Sequence, residues 1–73
     1  MNYISWNIRG INSLGKKLIL KNRILYENPD ILLIQETKLE SVLPYLLRNT
    51  YFKRYNFLAN SMIGSAGGIM TLW

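Results

Sequence analysis

Cysteine and histidine are both absent from the 73 residues of the chain. Without them the chain has no zinc finger, disulfide scaffold, thiol nucleophile, Ser/His/Asp triad or imidazole base. Acidic residues are also scarce, since Glu27, Asp30, Glu36 and Glu40 are the only ones. A metal site built wholly within the chain would therefore be poor in anionic ligands. Any chemistry has to rely on carboxylates, amides, hydroxyls or lysines.

Long apolar runs are missing as well. The longest, at residues 31–34, is far shorter than the roughly 18 to 20 residues that span a bilayer. Polar residues also interrupt the amino-terminal stretch that a secretory signal would require. We therefore expect no transmembrane segment and an intracellular location, in the nucleus or cytoplasm.

Apolar residues make up 49% of the chain and charged residues 18%, which is the composition of a chain that packs. Nine Lys and Arg against four acids give a formal net charge of +5. This balance favours polyanionic partners such as nucleic acid or anionic lipid, although a basic surface that only contacts solvent is the alternative.

The first third of the chain predicts a strand followed by a helix. Residues 3–8 alternate in polarity, with Ile4, Trp6 and Ile8 on one side, which predicts a half-buried strand. Ser13 is suited to cap a helix over residues 16–26. The apolar residues of this helix fall on two sides, which predicts that two flanks are covered. One side carries Leu18, Ile19, Leu25 and Tyr26, and the other carries Leu20 and Ile24.

In the rest of the chain, residues that end helices or strands alternate with short apolar stretches. Asn28-Pro29-Asp30 ends the helix, and the apolar run at residues 31–34 predicts a strand buried on both faces. We predict a short helix over residues 40–47, interrupted by Pro44, and strands over residues 51–58 and 68–73 with a glycine-rich loop at residues 64–67. The fold class is mixed α/β. Because the last apolar run stops at Trp73 with no polar residue after it, we expect residues 1–73 to be part of a domain.

Two polar residues stand at the carboxyl ends of the two clearest strands. Asn7 follows the first apolar alternation, and Glu36 follows the buried run. Ligand sites of sheets with crossover connections lie beyond these strand ends, and a carboxylate there suits a hard cation such as Mg²⁺. The alternative is structural, with the amide capping a loop and the glutamate capping a helix.

Three ordered blocks of residues resemble a known family. They are Ser5-Trp6-Asn7-Ile8-Arg9-Gly10, Asn28-Pro29-Asp30-Ile31-Leu32 and Gln35-Glu36-Thr37-Lys38. In this order and separation they resemble the start of the endonuclease/exonuclease/phosphatase superfamily, and most of all the endonuclease domain of non-LTR (LINE-type) retrotransposons. Residues 64–73 are similar to the glycine-rich turn and buried strand of plant members. The resemblance covers nearly the whole chain and implies a truncated four-layer α/β sandwich.

The resemblance also implies an activity, which is hydrolysis of DNA phosphodiester bonds with Mg²⁺ or Mn²⁺ as Lewis acid. Glu36 stands where the family places a metal ligand, and Asn7 where it places an asparagine that orients the scissile phosphate and the metal. Lys38 would support Glu36 from a second layer, and Arg9 and Asn12 would contact nucleic acid. The abasic-site repair branch carries an acid at the position of Arg9, so Arg9 favours the retrotransposon branch.

The later motifs of the family are missing. They are an Asp-any-Asn pair, a Gly-Asp-Phe-Asn segment and a terminal Asp-His pair, and Asp30 supplies none of them. General acid–base catalysis contributes roughly 10² to 10⁴ in rate, so we expect the chain alone to be inactive or nearly so. Two alternatives stay open: a phosphatase or lipid phosphodiesterase of the same superfamily, and a non-catalytic remnant of a decayed retroelement that is inert or binds nucleic acid weakly.

Two further groups of side chains have a double interpretation. A basic group could line a surface that contacts a phosphate backbone or could simply be solvated: Arg9, Lys16, Lys17, Lys21 and Arg23. An aromatic group could stack on bases, but its spacing favours the core: Tyr51, Phe52, Tyr55 and Phe57.

Overall fold

The computed structural model describes residues 1–61 and 67–73. Within them, four strands form one mixed sheet in the spatial order β1-β2-β4-β3. The strands are β1 (Tyr3–Asn7), β2 (Ile31–Gln35), β3 (Phe57–Asn60) and β4 (Ile69–Leu72). Strands β1 and β2 are parallel, whereas β4 is antiparallel to both β2 and β3. The predicted α/β class is confirmed.

Helix α1 (Leu14–Glu27) connects the two parallel strands, as such a pair requires. Its start is defined by Ser13, whose Oγ accepts a hydrogen bond of 3.1 Å from the backbone N–H of Lys16. Its end is defined by Asn28, which adopts the left-handed conformation and donates its N–H to the carbonyl of Ile24. The predicted cap and stop are both confirmed, and the helix begins two residues earlier than predicted.

The prediction that α1 is covered on two flanks is wrong. Leu20 and Ile24 are buried against one face of the sheet. The opposite group is exposed: Leu18, Ile19, Leu25 and Tyr26. No second layer among the described residues covers that flank, so the core occupies the space between the Leu20 side of α1 and the sheet. The strand residues of this core are Ile4, Leu32, Ile34, Met70 and Leu72.

The run at residues 31–34 is not buried on both faces as predicted. Leu32 and Ile34 are fully buried beneath α1, whereas Ile31 and Leu33 are half-buried. The register places Leu33 beside Thr71 on the second face of the sheet, which no described element covers. This second face also exposes three apolar residues: Tyr3, Leu58 and Ile69.

Helix α2 (Val42–Arg48) contains Pro44 without interruption, contrary to the prediction. Pro44 is the third residue of the helix, where a missing N–H removes no hydrogen bond within the helix. The predicted strand over residues 51–58 is also wrong except at its last two residues, because the strand begins at Phe57. A 3₁₀ turn (Thr50–Phe52) precedes β3. The predicted core position is confirmed for Phe52 and Tyr55, whereas Tyr51 is half-buried and Phe57 is exposed. Residues 64–66 of the predicted glycine-rich loop lie outside the described residues.

Candidate metal and phosphate site

Three backbone segments meet beyond the carboxyl ends of β1 and β2. The segment after β1 is bonded to the segment after β2, with Gly10 N–H donating to the Glu36 carbonyl at 2.7 Å and Ile11 N–H donating to the Thr37 carbonyl at 3.0 Å. Residues 37 and 38 in turn donate their N–H groups to the carbonyls of Gly68 and Gly67, at 3.1 and 3.0 Å. These bonds hold Glu36 in a fixed frame between two neighbouring segments.

The strand register brings the predicted site residues to one edge. Asn7 lies directly opposite Gln35, so the two amide side chains stand on the same face of the sheet, and Glu36 follows immediately. Gln35 was not singled out from the sequence. Its position after a buried run resembles that of Asn7, but the parallel register that pairs them is a long-range feature.

The backbone at this edge is held in an unfavourable conformation. Arg9, Glu36 and Lys38 have φ values of 52°, 53° and 54°, in the left-handed region that side chains disfavour. Among the described residues, the only other non-glycine residue with positive φ is Asn28 at the end of α1. Left-handed residues cost of order 1–3 kcal/mol each and cluster at functional sites. The three strained residues therefore point to function at this edge.

Basic side chains surround the same edge. The ammonium of Lys16 donates a hydrogen bond of 2.9 Å to the carbonyl of Arg9 and so braces the strained turn. The side chain of Lys38 extends over Gly10, since a Cβ placed on that glycine would lie 3.6 Å from the Lys38 Cδ. Arg9 and Lys38 are both exposed. Positive charge is thus available on both sides of the Glu36 segment.

Thr37 is the one fully buried polar residue at the edge, and its Oγ1 has no hydrogen-bond partner among the described residues. Its backbone N–H and carbonyl are both bonded to the flanking segments. An unpartnered buried hydroxyl costs roughly 1–3 kcal/mol, so Thr37 adds a further unfavourable feature beside Glu36.

The donors at this edge fit a hard divalent cation in part. Among the described residues no group of three or more His, Cys, Asp or Glu could hold a metal ion. Glu36 is the lone carboxylate, accompanied by the amides of Asn7 and Gln35. Mg²⁺ takes oxygen ligands and is commonly held by one or two carboxylates, several waters and substrate phosphates. The residues present suit such an ion as one part of its coordination shell.

The other predicted residues lie elsewhere. Asn12 lines a cavity between α1 and α2. The guanidinium of Arg23 forms an ion pair of 3.1 Å with Glu27, one turn further along α1, and is therefore part of the helix surface. In the part of the chain that the structure describes, neither helix is long and apolar enough to cross a membrane.

The chain matches a known protein family. The family model described as Endonuclease/Exonuclease/phosphatase family matches residues 4–73. No curated protein matches the chain.

Three solved structures are similar to it. An AP endonuclease, LMAP, from Leishmania major has a TM-score of 0.69 and 28% identity, over 97% of this chain and 23% of its own. An AP endonuclease from Archaeoglobus fulgidus has a TM-score of 0.66 and 25% identity, over 94% and 26%. The 3′ phosphatase NExo from Neisseria, bound to a product DNA hairpin, has a TM-score of 0.68 and 22% identity, over 94% and 26%, and indicates the fold alone.

The chain spans about a quarter of the length of these structures. Within that length the α/β arrangement of the sheet and its helices matches the corresponding part of their fold, as predicted. The family model covers all but the first three residues. The chain belongs to the endonuclease/exonuclease/phosphatase family.

Proposed function

We propose that this chain supplies the metal-binding and phosphate-orienting part of a divalent-metal-dependent phosphodiesterase that nicks DNA. Glu36 is the metal ligand in this proposal, and Asn7 orients the phosphate. The observation that carries it is the conformation of Glu36, a half-buried carboxylate held at a φ of 53° beside the Asn7–Gln35 pair. A conformation with this cost is retained where it places a side chain for use.

Each residue at the edge has a definite task in this proposal. The amides of Asn7 and Gln35 donate hydrogen bonds to the non-bridging oxygens of a phosphodiester. Lys38 and Arg9 offset the negative charge of the phosphate. Mg²⁺ or Mn²⁺, when bound, would supply Lewis acidity toward the phosphoryl oxygens. Lys16 and the backbone bonds to residues 67 and 68 hold these groups in place.

DNA is the substrate that the charge and the similar structures favour. The net charge of +5 suits a polyanion, and the similar structures are AP endonucleases and a phosphatase bound to a DNA hairpin. Arg9 in place of an acid favours the retrotransposon branch over abasic-site repair. We place the protein inside the cell, in the nucleus or cytoplasm, where such a substrate is found.

The chain alone is proposed to be the amino-terminal part of this domain and to be inactive. Among the described residues no histidine or second carboxylate stands at the edge to act as a base. A phosphatase is the second candidate, favoured by the fold that the chain shares with the Neisseria 3′ phosphatase. In both cases Glu36 would hold the metal.

Thermal unfolding in increasing Mg²⁺ tests the metal site. At about ten times its Kd, Mg²⁺ adds about 1.4 kcal/mol to the free energy of unfolding. For a domain of this size that gain corresponds to a rise of about 6 to 11 °C in Tm. We expect Glu36→Gln to abolish the rise. Glu40→Gln is the matched control, because Glu40 is exposed and four residues away, and it should keep the rise.

Three outcomes would contradict the proposal. Equal Mg²⁺ responses in Glu36→Gln and Glu40→Gln would remove Glu36 from the metal site. Nicking of supercoiled plasmid by the chain in Mg²⁺, lost with chelator and with Glu36→Gln, would show that the chain is active by itself. A chain that shows no cooperative unfolding and no Mg²⁺ response would instead support a non-catalytic remnant.

A further inference from the structure

A groove lined by basic side chains runs between α1 and α2. It consists of two adjoining cavities of about 380 and 330 Å³ that share Lys17, Arg48 and Asn49. The first cavity also includes Asn12 and Ser41, and the second includes Lys21. We call this set of six residues the basic groove.

The charges in the basic groove are not neutralised. No acidic side chain lines either cavity. Among the described residues the one salt bridge joins Arg23 and Glu27, outside the groove. Lys17 and Lys21 are four residues apart on α1 and therefore lie on one face of that helix. Three cations thus face a solvent-filled space without an anion.

Two of the cations are oriented by contacts with neighbouring residues of α2. The ammonium of Lys17 lies over the ring of Tyr45, 5.9 Å from its centroid. The Nε of Arg48 donates to the carbonyl of Pro44 at 3.4 Å, while its terminal NH₂ groups have no partner among the described residues. Lys17 and Arg48 each line both cavities, so the two charges face the same groove. Tyr45 itself is buried, and its hydroxyl has no hydrogen-bond partner among the described residues.

The position of the basic groove relates it to the candidate metal site. Asn12 directly follows the segment that is bonded to Glu36 and Thr37. Ser41 lies on the other side, a few residues after Lys38. The groove therefore starts next to the strand edge and continues from there along α1. Its neutral rim of amides and a hydroxyl can donate hydrogen bonds, while its cations attract negative charge.

We propose that the basic groove binds the phosphodiester backbone of a nucleic-acid strand that continues from the candidate metal site, with Lys17, Arg48 and Lys21 each neutralising one phosphate of that strand. This inference rests on the proposed function. An elongated, open and acid-free groove suits a repeated anion better than one small enclosed ligand. Arginine's planar fork is suited to phosphate, and Lys17 acts as a point charge beside it.

Binding of a fluorescein-labelled duplex oligonucleotide, followed by anisotropy in EDTA over a range of salt, tests this proposal. Each phosphate contact on duplex DNA contributes about 0.9 to the slope of log K against log salt. The double variant Lys17→Gln/Arg48→Gln should lower the slope by about 1.8, and Lys21→Gln alone should lower it by about 0.9. For the double variant, the loss of affinity between about 50 and 200 mM salt should shrink by about tenfold.

The matched control removes two charges outside the groove. Arg23→Gln/Lys53→Gln changes the net charge equally, and both side chains are exposed. The proposal is overturned if this control lowers the slope as much as Lys17→Gln/Arg48→Gln does, with both variants folded by circular dichroism. It is also overturned if poly-glutamate of equal charge competes as well as unlabelled DNA, since that would indicate an acidic protein partner.

The design separates the two proposals. EDTA removes any contribution of a metal at Glu36, so the oligonucleotide assay reports on the groove alone. If Mg²⁺ does not raise the Tm of the wild type but Lys17→Gln/Arg48→Gln still lowers the salt slope, the metal site is refuted and the groove proposal is supported. The reverse pattern would refute the groove alone.

Discussion

The left-handed backbone of Glu36 leads to a prediction in which stability and metal binding change in opposite directions. An L-residue in this conformation costs roughly 1–2 kcal/mol, whereas glycine adopts it freely. Glycine also makes the unfolded chain more flexible, which costs about 0.4–1 kcal/mol. The balance predicts that Glu36→Gly raises the free energy of unfolding by about 0.8 kcal/mol.

Little else opposes this gain. The Glu36 carboxylate has no ion-pair partner among the described residues, because the one salt bridge found there joins Arg23 and Glu27. Its backbone bonds to Gly10 and its neighbours do not depend on the side chain. For a domain of this size, about 0.8 kcal/mol corresponds to a rise of about 3 to 6 °C in Tm. The same variant should lose the rise in Tm that Mg²⁺ produces.

The assay is thermal unfolding by circular dichroism, in EDTA and then in Mg²⁺. Gln35→Gly is the matched control, because Gln35 is the preceding residue and has the regular extended conformation of β2. There glycine relieves no strain, so it should lower the free energy of unfolding by about 0.5 to 1 kcal/mol. If Glu36→Gly lowers stability as much as Gln35→Gly, the edge stores no strain at Glu36 and the inference from its backbone to function is wrong.

Three further predictions concern the rest of the fold. Gly10 has a φ of 92°, so Gly10→Ala should lower the free energy of unfolding by about 1–2 kcal/mol. Gly15 lies in α1 with open space around it, so Gly15→Ala should raise the free energy of unfolding by about 0.4–1 kcal/mol. Urea titrations in which both variants change stability in the same direction would contradict the turn geometry at Gly10. Leu20→Ala should lower the free energy of unfolding by about 2–5 kcal/mol because Leu20 is fully buried. Leu18→Ala should lower it by under about 1 kcal/mol because Leu18 is exposed. Equal shifts of the urea midpoint would show that both flanks of α1 are covered. Burial raises the pKa of the Tyr45 phenol, so the folded state favours its neutral form and the free energy of unfolding should fall as the pH rises above about 10. Tyr45→Phe should reduce this fall, and at pH 7 it should be neutral or stabilising because the Tyr45 hydroxyl has no hydrogen-bond partner among the described residues. If stability at alkaline pH, followed by circular dichroism, is the same in Tyr45→Phe and the wild type, Tyr45 is not the cause of the fall.

Local features of this chain were predictable from the sequence because they depend on residues within one or two turns. The Ser13 cap, the stop at Asn28-Pro29 and the alternation around Ile4 are of this kind. The resemblance carried by the three sequence blocks likewise led to the family and to the fold class. The aromatic segment misled the strand prediction because Phe52 and Tyr55, three residues apart, pack on the core from a 3₁₀ turn and the turn that follows it, instead of alternating along a strand.

Composition and sequence by themselves determined the basic charge, the lack of imidazole and thiol chemistry, and Asn7 and Glu36 as candidate residues. Only the tertiary structure decided which flank of α1 is buried, that Gln35 stands opposite Asn7, and that Lys17 and Arg48 face one groove. The last two features join residues 28 and 31 positions apart, and local rules do not reach across such separations. Sheet register and helix packing set them, because a one-residue slip of a strand would move Leu32 or Met70 away from Leu20 to the other face of the sheet.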